Sequence, residues 1–316
     1  MQETSNFFSR IDKLLDYLKI ESIENADFNP KFPMRVPLAY AEKMEKGNSN
    51  DPLLMQVLPT QEEKKQVPGF SDDPVGDKKS ETESGILHKY QGRILIIATG
   101  NCSVRCRFCF RRNASFKTLP NMPVLLRKTL ERSPEIHEVI FSGGDPLTAP
   151  ITFLEKTFES IVPARAVRTI RFHSRVPLTE PEEAFRYLPL FKKYANRFKF
   201  VLVLHTNHPR ELSGKTPGFL KECRENGIHL LNQSVLLKGI NDSSETLAEL
   251  SHSLFDCGVL PYYLHLLDRA NGTAHFEVQE ETAKKIHQQL LEKLPGYLVP
   301  KLVREICGEK SKTPIF

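Results

Sequence analysis

No apolar run in this 316-residue chain is long enough to cross a membrane. Nor does the start read as a secretory signal, because Met1 to Ile20 mixes Glu, Arg, Asp and Lys with apolar side chains. Charge of one sign is not in excess either. A net +5 is mild at this length and does not call for a nucleic-acid-binding surface. Repeats and low-complexity tracts are absent. The six cysteines do not suggest a disulfide framework, and three of them are clustered, so a reducing cytoplasm is the expected compartment. What is present is an ordinary soluble composition, 40% hydrophobic and 26% charged. At this length an α/β barrel commonly forms one domain.

Ile11, Leu14, Leu15 and Leu18 fall on one helical face, which predicts an amphipathic helix over 6–20. Residues 60–84, rich in Gln, Glu, Lys, Asp, Pro and Ser, read as an extended connector. Strand-like runs follow at 93–99, 138–142, 168–173, 198–205, 229–237 and 259–267. Helical stretches lie between and after them, at 121–132, 151–161, 180–195, 215–226, 243–257 and 279–294. This alternation implies parallel βαβ units with right-handed crossovers. Sequence period alone fits both an open doubly wound sheet and a barrel. In either, the site is expected at the C-terminal ends of the strands.

Directly after the first strand run come Cys102, Cys106 and Cys109, spaced C-x3-C-x2-C. Three thiolates can hold three irons of a cubic [4Fe-4S] cluster and leave the fourth iron open, whereas ordinary clusters take four Cys ligands. The competing reading is a structural zinc site. Zinc usually needs a second knuckle or two His, and Cys223, Cys257 and Cys307 stand alone. Phe108 and Phe110 would shield a cluster from water, and Arg105, Arg107, Arg111 and Arg112 would offset its negative charge. At the end of the second strand run lies Phe141-Ser142-Gly143-Gly144-Asp145-Pro146-Leu147. Paired glycines let the backbone approach a ligand without an intervening Cβ. Taken together, the two motifs match those with which radical S-adenosylmethionine (SAM) enzymes hold their cluster and, through Ser142, Gly143, Gly144 and Asp145, the amino group of SAM.

With these motifs the chain resembles the lysine 2,3-aminomutase family, in particular the branch that supplies β-lysine for modifying elongation factor P. The resemblance runs from about residue 30 onward. It is carried by Met44-Glu45-Lys46-Gly47-Asn48, Asp51-Pro52-Leu53-Leu54, Pro68-Gly69-Phe70-Ser71 and Leu87-His88-Lys89-Tyr90, then the cysteine and glycine motifs. Asn232-Gln233-Ser234-Val235-Leu236-Leu237, PYYLHLLD at 261–268 and GYLVPKLVREICGEKSKTP at 296–314 complete it. It implies an α/β fold, a radical SAM partial (β/α)6 barrel over 85–316 with a short C-terminal segment that binds pyridoxal phosphate (PLP). Residues 1–84 would form an N-terminal helical region and connector.

The resemblance also implies site residues. Lys312 corresponds to the lysine that anchors PLP covalently, with Lys310 as the near rival. Tyr90 and Arg93, with Lys89, fall where the family binds the PLP ring and phosphate; the family has Arg at the position of Lys89. Gln233 and His205 match cofactor contacts. Arg111 matches the residue that pairs with the substrate α-carboxylate. Asp268 and Glu305 match two acids that grip the substrate ε-ammonium, although the lysine-specific enzymes of amino-acid metabolism have Asp where this chain has Glu305. Aminomutases of lysine catabolism carry a C-terminal extension with Cys ligands to a structural zinc. This chain ends at Phe316 and has Ser243 where the remaining ligand would sit, so no structural zinc is expected.

The implied reaction interconverts L-α-lysine and (R)-β-lysine, with free lysine as substrate and an external electron donor of flavodoxin or ferredoxin type. The implied functional partners are a lysyl-tRNA-synthetase-like ligase and elongation factor P. The alternatives are β-lysine made for metabolism or osmoprotection, a glutamate-directed aminomutase, and a non-catalytic iron-sulfur electron carrier.

Overall fold

A computed structural model of the chain describes residues 6–114, 116 and 119–316. The expected strands are present as β1 (Arg93–Thr99), β2 (Glu138–Gly143), β3 (Thr169–Ser174), β4 (Lys199–Leu204), β5 (His229–Val235) and β6 (Leu260–His265). Each pairs in parallel with its neighbour in the chain. Order in the sheet therefore equals order in the chain. A doubly wound sheet reverses order at a switch point, and this one never does. Right-handed crossovers in one direction put every helix on the same face. The sheet must then curl to enclose its other face, which gives a partial barrel.

The period-2 alternation of strands sorts the side chains. Ile94, Ile96 and Ala98 of β1, Val139 and Phe141 of β2, and Ile170 and Phe172 of β3 belong to the core beneath the helices. Those helices are α1 (Met122–Arg132), α2 (Ile151–Ile161), α3 (Thr216–Glu225), α4 (Ser244–Asp256) and α5 (Glu280–Lys293). The interleaved residues, Arg93, Ser142, Arg171, His173, Gln233, Tyr263 and His265 among them, line a cavity on the inner face. A polar barrel interior is costly to bury, so it needs a reason in function.

Several elements differ from expectation. The helix expected over 180–195 is split into Pro181–Phe185 and Leu188–Tyr194. Pro189 has no N–H to give the carbonyl of Phe185, and Pro181 and Pro189 both sit in helix first turns, where proline is tolerated. The N-terminal helix is shorter than 6–20, spanning Ile11–Leu18, because Phe7–Phe8 pairs as a strand with Val36–Pro37. Leu14 and Leu18 in it are fully buried and contribute roughly 1.5–3 kcal/mol each. They join a second apolar cluster with Tyr40, Leu53, Leu54 and Val57 that reaches Val104 in the cysteine loop.

A further parallel strand, β7 (Lys301–Arg304), extends the sheet beyond β6, and Thr313–Pro314 returns antiparallel to it. At the other edge Ile86–Tyr90 runs antiparallel to β1, and Glu81–Glu83 follows outside it. Four-residue and two-residue strands are too short to show a period, and Glu81–Glu83 lay hidden in the polar connector. The two edges meet through side chains: the Tyr90 hydroxyl donates to Glu305 at 2.7 Å.

Candidate active site

The cysteine loop leaves the C-terminal end of β1. Cys102, Cys106 and Cys109 are free thiols that line the inner cavity. Burial, followed by the neighbouring cysteines, raises the thiols of Cys102 and Cys109, the latter to about 11. Buried thiols of this kind ionise when a cation offsets their charge. Among the described residues no set of three or more His, Cys, Asp or Glu surrounds a single point as one metal ion requires. Three thiols along one wall fit a cluster, in which each sulfur meets a different iron.

The arginines of the loop do not act as a group. Arg107 is fully buried, with Nε on Glu63 at 2.7 Å and Nη1 on the Phe32 carbonyl at 2.9 Å. Arg112 also pairs with Glu63, and Arg105, Arg107 and Arg112 all lie over the Phe32 ring. Arg107 and Arg112 thus clamp the loop to the N-terminal region through Glu63, while Arg111 and Arg112 also favour the Cys109 thiolate and Arg105 that of Cys102. Arg111 alone of the pair that ends the motif turns to the cavity. A residue outside the motif reaches the sulfur: Arg175, just after β3, donates from Nη1 to Cys106 Sγ at 2.9 Å.

The paired glycines have a more specific task than expected. A Cβ on Gly144 would lie 2.1 Å from the Asn101 carbonyl oxygen, and one on Gly143 would lie 2.6 Å from that of Thr99. Gly143 also has φ of +110°, which disfavours any side chain. The turn thus approaches the cysteine-loop backbone, with Gly144 N–H donating to Thr99 O and Asp145 N–H to Asn101 O, both at 2.7 Å. The Asp145 carboxylate is used internally. It accepts from Ser174 Oγ and the Arg175 N–H at 2.7 Å, and from the Leu147 and Val176 N–H groups. Ser142 Oγ accepts from Arg111 Nη1 at 3.0 Å.

Lys89, Tyr90, Arg93, Ser142, Gly143, Gly144, Asp145, His205, Gln233, Asp268, Glu305 and Lys312 share this one cavity of about 300 Å³ with Arg111 and the three cysteines. That volume is within the range of small-molecule pockets. Lys312 points in, its Nζ 2.7 Å from Glu305, whereas Lys310 is exposed and does not line the cavity. Burial disfavours the Glu305 carboxylate, but Lys312, Tyr90 and Lys89 outweigh it and hold its pKa low. Asp268 has no side-chain hydrogen bond among the described residues. Burial, partly relieved by Lys312 and reinforced by the Glu305 charge, pushes its pKa up to about 7. His173, His205 and His265 are kept neutral by burial, His205 with its pKa lowered to about 3.

The connector contributes a residue that its composition did not reveal. Asp77 bridges Lys89 Nζ at 2.7 Å and Arg111 Nε at 2.8 Å. Arg171 and His173 of β3 were also missed, although they follow the inward-facing alternation. Arg93 Nε, Arg171 Nε, His173 Nε2 and His205 Nε2 are buried without a hydrogen-bond partner among the described residues. Two guanidinium donors left free beside Tyr90 and Tyr263, with an amine opposite, fit an anionic aromatic group such as PLP.

The in-order parallel sheet and the thiol-bearing loop after its first strand define the radical SAM partial-barrel fold. No protein-family model matches the chain. The L-lysine 2,3-aminomutase of Escherichia coli (strain K12) is 42% identical over 312 residues, covering 96% of this chain and 90% of the relative. That of Haemophilus influenzae is 41% identical over 289 residues, covering 89% and 84%. That of Clostridium subterminale is 28% identical over 321 residues, covering 99% and 76%. Among solved structures, a radical SAM methyltransferase from Sphaerobacter thermophilus has a TM-score of 0.49 at 16% identity, covering 71% of each chain. Native anSMEcpe with bound AdoMet and a Cp18Cys peptide has a TM-score of 0.48 at 14% identity, covering 64% of this chain and 59% of that one. The chain belongs to the L-lysine 2,3-aminomutase family, and it is an isomerase.

Proposed function

We propose that the protein is a SAM- and PLP-dependent lysine 2,3-aminomutase that interconverts L-α-lysine and (R)-β-lysine. The observation that carries this reading is the sharing of one cavity by three thiols, an inward lysine, a pair of acids and an arginine. Cys102, Cys106 and Cys109 would hold the [4Fe-4S] cluster, the turn Ser142–Asp145 would border SAM, and Lys312 would anchor PLP. When bound, the cluster with SAM supplies a carbon radical able to take hydrogen from an unactivated carbon, and PLP supplies a π system for nitrogen migration.

The chain's own part is placement and charge. Arg93 and Arg171 offer unpartnered guanidinium N–H groups to a phosphate. Tyr90 lies under Arg93, whose Cζ is 4.9 Å from the ring centroid. His205, just after β4, and Gln233 of β5 line the same cavity and would border the cofactors. Arg111 Nη2 has no hydrogen-bond partner among the described residues and would meet the substrate carboxylate, while Asp77 and Ser142 fix its other nitrogens. At the other end the Lys312 ammonium on Glu305 stands in for the substrate ε-ammonium. Asp268 and Glu305 together give that ammonium the anionic surroundings a buried cation needs. Held at both ends, lysine presents carbon three to the radical.

The sequence segments shared with the elongation factor P branch support β-lysine supply for that modification, in the cytoplasm, in concert with a lysyl-tRNA-synthetase-like ligase. A flavodoxin- or ferredoxin-type donor would supply the electron. Among the described residues no helix is long and apolar enough to cross a membrane. The test is anaerobic incubation of reconstituted protein with SAM, PLP, dithionite and a panel of free amino acids. β-Lysine formed from lysine is the expected result. Absence of both SAM cleavage and β-lysine from iron- and PLP-loaded protein would refute the reading.

A further inference from the structure

Arg175 is a buried charge in contact with the cysteine loop that the proposed reaction leaves without a role. It follows β3 directly, and its side chain is 6% exposed. Nη1 donates to Cys106 Sγ at 2.9 Å. Nη2 meets Glu211, the Gln56 carbonyl oxygen Oε1 at 3.2 Å and the Tyr40 hydroxyl at 3.3 Å. Its backbone N–H is fixed by Asp145 at 2.7 Å. Glu211 is itself saturated, accepting from the Asn207 and His208 N–H groups and from Gln56 Nε2. The guanidinium therefore has no freedom to turn away from the sulfur.

A second cation braces this knot. Lys43 enters from the N-terminal region and donates to the carbonyls of Leu178 and Glu211 at 2.7 Å and to Thr216 Oγ1 at 3.0 Å. Arg175 pairs with the Glu211 carboxylate through Nη2, which leaves Nη1 turned to Cys106. Buried charge is tolerated where it is paired, and the Arg175 guanidinium divides its charge between Glu211 and Cys106 Sγ. A hydrogen bond and a cation at a cluster sulfur both favour the more negative, reduced cluster, which raises its potential.

We propose that Arg175 tunes the iron-sulfur cluster held at Cys106, raising its one-electron reduction potential through the charge-assisted hydrogen bond to that sulfur. This rests on the cluster assignment made above. The step concerned is addition of one electron to the oxidised cluster, supplied in the test by dithionite. Glu211, Gln56 and Tyr40 act through Arg175 as its positioning residues. The N-terminal region then has a purpose in the chemistry, since Tyr40, Lys43 and Gln56 all come from it.

The test uses full-length, anaerobically reconstituted protein as wild type, Arg175→Lys, Arg175→Gln and the double variant Arg175→Gln/Glu211→Gln. Iron content and a potentiometric titration followed by electron paramagnetic resonance are read for each. Arg175→Gln is expected to keep iron and shift the reduction equilibrium about tenfold against reduction, about 59 mV for one electron. Arg175→Lys keeps the charge and is expected to shift less. The double variant leaves no unpaired Glu211, so it protects the fold while still lacking the bond to sulfur, and is expected to shift the same way. An unchanged potential in an iron-loaded Arg175→Gln or double variant overturns the proposal. Loss of iron from every variant, with wild type loaded, assigns Arg175 a purely structural role and also overturns it. A wild type that binds no cluster refutes the cluster assignment itself, and the proposal falls with it.

Discussion

Asp268 and Glu305 are both acids at the ammonium end of the cavity, yet their surroundings separate them. Glu305 is held ionised by Lys312, Tyr90 and Lys89, whereas burial holds the Asp268 pKa at about 7. Below that pH Asp268 is neutral and offers a cation less; above it the full pair of charges is present. Lysine affinity should therefore rise as pH increases through 7, and Asp268→Asn should flatten the profile. Since Lys312 is the chief charge lowering the Asp268 pKa, using its ammonium to anchor the cofactor moves the transition upward. The apparent KM for lysine between pH 6 and 8.5 checks both statements. For the anchor itself, borohydride reduction of PLP-loaded protein should leave the pyridoxyl label on Lys312. Lys312→Ala should abolish the label and keep the iron, while Lys310→Ala should change neither. Mass spectrometry of the digest decides, and a label on Lys310 would contradict the assignment. Residues tied to a motif, such as the cysteines, were legible in the sequence. Asp77 was not, because a lone acid in a polar connector carries no signal until the chain wraps back over Lys89 and Arg111. Arg175 was passed over for a similar reason: its meaning depends on Glu211 and Cys106, both remote in sequence.

At the scale of the elements, the cysteine loop and the glycine turn are one unit. Gly144→Ala would drive a Cβ into the Asn101 carbonyl, at a cost of about 2–3 kcal/mol. A lowered thermal midpoint together with reduced iron retention is the expected outcome. An unaltered midpoint would show that the turn can shift without cost. Glu63, outside any motif, pairs with the buried Arg107 and with Arg112. Glu63→Gln leaves a buried guanidinium unpaired, with an expected loss of about 3–5 kcal/mol and of iron, measured by denaturant unfolding and iron assay. The strands were legible because their alternation is strong, and their boundaries moved by no more than a couple of residues. The long helix after β3 was read as continuous because its apolar pattern runs through the prolines that restart it. β7 was missed because four residues cannot establish a period.

For the whole molecule, the in-order sheet decides between the two closures the alternation left open. Its interior carries polar side chains, of which Arg93, Arg171, His173 and His205 each have a buried nitrogen without a partner among the described residues. Its edges are joined through Tyr90, Lys89, Glu305 and Lys312, not through backbone pairing. The lysine that would anchor the cofactor therefore sits on the seam of the barrel. Tyr90→Phe should loosen that seam, seen as faster amide exchange over 305–316 with β2 to β5 unchanged. In the proposed reaction one cavity joins radical generation to movement of lysine's amino group. Turnover of lysine deuterated at carbon three tests it most directly, with iron- and PLP-loaded protein, SAM and dithionite. Deuterium at the 5′ carbon of recovered SAM alongside β-lysine is the expected result. β-Lysine formed with no deuterium in SAM would contradict it.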